Sequence, residues 1–255
     1  MVGKALKEIS PRPFIATKCG LVWDEAKNIS NRLKKESVRR EAEASLRRLG
    51  VDVIDLYQIH WPYPDEEIEE GWGEMSRLVE EGKVRYIGVS NFNVSQMERI
   101  KKIHPIASLQ PPYSMLKRGI EAEILPYCAE NNIGVIVYSP MQKGLLTGAV
   151  TKERVAQFAP DDHRRNDPQF QEPELSVNLE LVEKLRGIAA KYGKTPAQLA
   201  VAWVLRRPEV TSAIVGIRRP SQIEEIVPAA DFDISQEDLE LIERLLAERE
   251  AKLRK

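Results

Sequence analysis

Apolar, β-branched runs of strand length alternate with amphipathic segments of helix length along almost the whole chain, and that alternation limits the fold more than any single motif. The strand-like runs are residues 14–18, 53–60, 84–91, 106–110, 134–139 and 210–216. Helical periodicity fills the gaps at 37–49, 68–81, 95–103 and 120–131, then at 178–192 and 195–207 before the last run. Gly50, Gly82 and Gly193 stand where left-handed C-terminal caps belong. A helix between successive strands implies parallel pairing through right-handed crossovers, hence an α/β sheet or barrel. Two further helical stretches, 221–227 and 235–255, follow, the second with a charge run that reads as a solvated face.

The clearest run is VIDLYQIHWP, residues 53–62: a buried strand that ends on His60 and Trp61 and is stopped by Pro62. The other strands also end in polar groups. Lys18 ends the first, Ser90 and Asn91 the third, Gln110 the fourth, Tyr138 and Ser139 the fifth, and Gly216 with Arg218 and Arg219 follows the sixth. Each has an ordinary reading. A histidine at a strand end is often structural, Ser-Asn is a common turn or cap, and Gln110 or Tyr138 fits a surface. Lys18 is harder to dismiss, because an ammonium is rarely left in an apolar run. In a β/α barrel all six positions fall on the one face that carries active sites.

At 255 residues and 42% hydrophobic content the chain has enough apolar surface for one large domain. A net charge of −1 gives no footprint for nucleic acid or an anionic membrane, and two distant cysteines, Cys19 and Cys128, point to a reducing compartment. No run is long enough to span a bilayer, so a cytoplasmic location is expected. Residues 1–9 have helical spacing but no capping side chain. The longest irregular stretch, 140–175, reads as a lid; Asp161, Asp162 and His163 within it read as a solvated turn, and no metal is expected.

The strings ATKCG (16–20), DLYQIHWP (55–62), EGKVRYIGVSNF (81–92), SLQPPYS (108–114), YSPMQKGLLTG (138–148) and SAIVGIRRPSQIEE (212–225) resemble the aldo-keto reductases, most of all bacterial members similar to potassium-channel β-subunits. The resemblance runs from residue 3 to 246. It implies an eight-stranded (β/α)8 TIM barrel that binds NADP(H) and reduces small aldehydes and ketones to alcohols. By that resemblance Lys18 and His60 are catalytic, and Trp61 lines the substrate pocket. Ser90, Asn91 and Gln110 hold the nicotinamide carboxamide, Tyr138 stacks on its ring, and Ser139, Pro140, Met141, Gly144 and Leu145 approach the pyrophosphate, which Arg164 and Arg165 of the lid are expected to clamp as it closes. Gly216, Arg218, Gln222 and Glu225 meet the adenosine end, where the Arg218 guanidinium suits a 2′-phosphate and so NADP.

Two departures accompany these matches. The family's D-T-A-x-x-Y-G segment, carrying an aspartate and a proton-donating tyrosine, is not found in the 255 residues, and neither Tyr57 nor Tyr63 stands in a matching position. The expectation is therefore a single barrel domain over residues 1–255 that is N-terminally incomplete: two strands missing, six recognisable, open edges at 14–18 and 210–216, and impaired turnover. Open edges also make an oligomer possible. Ile226 stands where the family usually has an asparagine reaching the adenine. The alternative function is a non-catalytic NADP(H)-binding, redox-sensing module; a Schiff-base enzyme using Lys18 ranks third, because it leaves Ser90, Asn91, Gln110 and Tyr138 without work.

Overall fold

The computed structural model describes residues 1–254. They group into two compact units, Met1–Pro111 with Glu121–Val135, and Pro112–Ile120 with Ile136–Lys255. All six strand-like runs are strands of one sheet, in the order β1 (Ala16–Cys19), β4 (Ile54–Ile59), β5 (Val84–Ser90), β6 (Ser108–Gln110), β7 (Gly134–Tyr138) and β8 (Val210–Ile214). Each is trimmed at one or both ends relative to its apolar run, because ladder pairing stops before hydrophobicity does.

In the first unit β1, β4, β5, β6 and the start of β7 pair in parallel, with Lys18 opposite Gln58, Gln58 opposite Gly88, and Gly88 opposite Ser108. β4 is buried along its whole length. Its side chains alternate: Asp55 and Tyr57 take one face and Gln58 and His60 the other. Tyr57 Oη points at α2 (Lys35–Leu49), where it donates to Val38 O. The helix α3 (Ile68–Glu80) buries Ile68, Trp72, Met75 and Leu78, a spacing that keeps all four on one stripe. Asp55 ties the strand starts together by accepting from Ile15 N at 2.9 Å and pairing with Arg12 and Arg85.

Two expectations change in this unit. Helix α1 covers only Val2–Ala5 rather than residues 1–9, as four uncapped residues with no buried side chain gain little from extension. A hairpin absent from the sequence reading, β2 (Leu21–Trp23) against β3 (Ile29–Asn31), follows β1. Its Asp24 side chain accepts from Asn28 N and Nδ2, closing the turn.

The second unit is built on α7 (Glu174–Lys191), α8 (Pro196–Leu205) and α10 (Gln236–Leu253). α8 starts from a reciprocal cap, Thr195 with Gln198, and buries Leu199 through Val204 almost all round. The stretch read as a lid is not an open flap. It folds into short helical turns, including α6 (Lys152–Ala156), and Leu145, Val150, Phe158, Phe170 and Leu175 form a buried cluster of their own. Five apolar residues spread over that length gave no period to read, but together they bury enough surface to hold the segment.

Candidate active site

The first unit brings Lys18, His60, Ser90, Asn91 and Gln110 to the carboxyl ends of adjacent strands. β1 and β4 are locked in register there, since His60 N donates to Cys19 O at 2.9 Å. Lys18 is half-buried and burial lowers its pKa. Burial also lowers that of His60, and the Lys18 ammonium pushes in the same direction, so the imidazole is kept neutral at neutral pH. The two are thus close enough to interact electrostatically. The Trp61 ring lies nearly parallel to the imidazole, 16° between planes and 6.1 Å between centroids, and its outer surface stays exposed.

Asn91 knits the strand ends together. Its backbone is left-handed at φ 64°, a conformation Asn tolerates better than most residues, and this turns Nδ2 toward His60 O at 3.0 Å and Ser90 Oγ at 3.0 Å. Ser90 Oγ donates to Gln110 O at 2.7 Å, and Asn91 N donates to the same oxygen at 3.2 Å. Gln110 Nε2 donates to Gln58 Oε1 at 3.1 Å. Gln58 and Ser108 belong to this network and were missed in the sequence; the available signal was an amide in the middle of a buried strand.

The second unit contains a groove of about 1280 Å³. Of the residues assigned here from the sequence, Tyr138, Ser139, Pro140, Met141, Gly144, Gly216, Arg218, Gln222 and Glu225 all line it; Ile226 does too. Leu145 does not: its side chain is fully buried in the apolar cluster. Ser139 (φ 58°), Lys143 (φ 55°) and Gly144 (φ 94°) form a left-handed bend after β7, and a Cβ on Gly144 would meet nothing within 4 Å, so that backbone faces open space. Gln222 Oε1 accepts from Arg218 N at 2.8 Å and Arg219 N at 3.1 Å, shaping the turn before α9 (Ser221–Ile226). Gln198 Nε2 donates to Glu225 O at 2.7 Å, joining α8 to α9.

The proposed arginine clamp is corrected in part. Arg164 lines the groove with His163, but its guanidinium is already paired with Asp162 and lies 3.9 Å over the Phe158 ring. Arg165 donates to Phe158 O instead. Lys143, Thr147, Arg154, Thr195 and Gln198 also line the groove, and none stands at a strand end where the sequence reading looked.

Polar groups at the carboxyl ends of parallel strands joined by helices are the arrangement on which TIM-barrel enzymes build their active sites. The aldo/keto reductase family model matches residues 1–247, and the chain belongs to that family. It is 39% identical over 249 residues to aldo-keto reductase YhdN of Bacillus subtilis (strain 168), covering 96% of this chain and 74% of that one. It is 34% identical over 259 residues to the NADH-specific methylglyoxal reductase of Escherichia coli (strain K12), covering 96% and 78%. A glycerol dehydrogenase structure from Gluconobacter oxydans superposes with a TM-score of 0.91 at 37% identity, covering 97% of this chain and 76% of that one. The family match gives no support to the expected absence of an Asp/Tyr segment or of two strands. Among the described residues no helix is long and apolar enough to cross a membrane.

Proposed function

We propose that this protein, acting as one barrel domain, reduces small aldehydes and ketones to alcohols with NADP(H). The observation that carries the reading is that Lys18 acts electrostatically on the His60 imidazole while the His60 carbonyl, Ser90, Asn91 and Gln110 form one hydrogen-bonded set in the first unit. His60, held neutral, donates an N–H to the carbonyl oxygen, and the Lys18 ammonium stabilises the charge that grows there as the carbonyl carbon is reduced. In the first unit Ser90, Asn91 and Gln110 hold the nicotinamide carboxamide and Trp61 borders the substrate; Tyr138, of the second unit, is assigned to the nicotinamide ring. In the second unit the bend at 139–144 takes the pyrophosphate, and Gly216, Arg218, Gln222 and Glu225 take the adenosine end. A reduced nicotinamide bound in this way supplies the hydride.

NADP(H) is favoured over NAD(H) by the exposed Arg218 and Arg219 beside the groove, although the Escherichia coli relative is NADH-specific. Titration of both reduced cofactors tests this: NADPH should bind more tightly, and Arg218→Ala should weaken it about tenfold while leaving NADH unchanged. Tighter NADH binding would reverse the cofactor assignment. NADPH binding without oxidation by any of a panel of aldehydes would favour the redox-sensing alternative.

A further inference from the structure

Gln58 is an uncharged polar residue in the middle of β4, a strand buried along its length, and it is itself completely buried. It lies two residues before His60, on the same face. Its register partners are Lys18 and Gly88, and Gly88 in turn faces Ser108. Lys18, Gln58, Gly88 and Ser108 therefore form a row one layer beneath His60, Ser90 and Gln110. Gln58 bridges the two layers: Nε2 donates to Ser108 Oγ at 3.4 Å, and Oε1 accepts from Gln110 Nε2 at 3.1 Å. Gly88 gives this bridge its room, because a Cβ there would strike the Ser108 hydroxyl, lie 2.7 Å from Ser108 O and press on Gln58 Cγ at 3.4 Å. An apolar side chain of equal size would fill the space without needing partners, so packing alone does not account for a glutamine.

We propose that Gln58 is a positioning residue for recognition of the cofactor's carboxamide, acting through Gln110. The Gln58 bond commits the Gln110 N–H to the lower layer and so turns the Gln110 carbonyl oxygen away from it, as an acceptor for the carboxamide N–H. This rests on the carbonyl-reductase reading, in which Gln110 meets that group.

Calorimetric titration with NADPH and with its reduced 3-acetylpyridine analogue, which replaces the carboxamide NH₂ by methyl, tests it. Wild type should prefer NADPH by about tenfold, the worth of a well-made hydrogen bond. Gln58→Met should cut that preference to about twofold by freeing the Gln110 amide to rotate, and Gln58→Glu should restore it, since its carboxyl still accepts from Gln110. Should Gln58→Met not fold, Ser108→Ala removes the lower anchor of Gln58 and should likewise reduce the preference. An undiminished preference in whichever variant folds overturns the assignment. Equal wild-type affinity for both nucleotides overturns it while leaving the reductase reading standing; binding of neither overturns both.

Discussion

At the scale of single residues, two effects of the same sign keep His60 uncharged: burial first, then the ammonium of Lys18. A neutral imidazole donates one N–H and carries no charge of its own, so in the proposed reaction the positive field at the carbonyl oxygen is left to Lys18. Removing that ammonium has a consequence separable from loss of turnover. In Lys18→Met the His60 pKa should rise toward its ordinary value, read from the imidazole resonances in an NMR pH titration, while kcat falls about 100-fold. An unmoved His60 titration would mean that Lys18 exerts no field on the imidazole. Removing a half-buried ammonium also relieves its desolvation, so the variant should be no less stable in urea.

At the scale of elements, legibility followed burial and period. The inner strands of the sheet and the helices between them were readable because a buried face or stripe imposes a period, as in β4 and α3, whereas β1 and β8 are partly exposed and were read from their apolar runs alone. The hairpin β2–β3 was not, because its strands are three residues long and β3 is exposed throughout, leaving no alternation to see. The polar groups at the strand ends were legible by topology. Of the groove-lining residues, Lys143, Thr147, Arg154, Thr195 and Gln198 were not, since short helical turns and caps, not a strand, place them. The segment once read as a lid shows the limit best: Phe158 and Phe170 pack 5.9 Å apart, centroid to centroid, and Arg164 stacks on Phe158 while lining the groove. Phe170→Ala should therefore cost about 3 to 5 kcal/mol in a denaturant titration and weaken NADPH binding with it. Full affinity in a variant so destabilised would show that the groove wall does not depend on this cluster.

At the scale of the whole molecule, 38 basic and 39 acidic side chains nearly cancel, and many are joined across elements. Arg39 and Lys83 together hold Glu81 down to about 2. Arg99 lowers Glu69, Lys252 and Lys184 lower Glu180, and Lys191 with Tyr192 lowers Asp238. Each of these carboxylates takes up its proton at a lower pH in the folded chain than in the unfolded one, so its contribution is complete above the ordinary carboxylate range near 4.5 and is lost as pH falls through the folded value, for Glu81 as far as about 2. His60, lowered from 6.5, adds a shallower loss that begins earlier. Glu41, raised by burial although it accepts from Gly20 N and Ser37 Oγ, runs the other way and offsets part of it. Stability should thus be level from about pH 8 to 6.5, dip slightly, then fall steeply below about 4.5. Because most of these pairs are exposed, each is worth little alone and all are screened; raising salt from about 0.05 to 0.5 M should flatten the acid limb. Urea midpoints across pH at the two salt concentrations check this: an acid limb indifferent to salt would assign the loss to buried carboxylates such as Asp238, and stability that rose on acidification would give Glu41 the larger share.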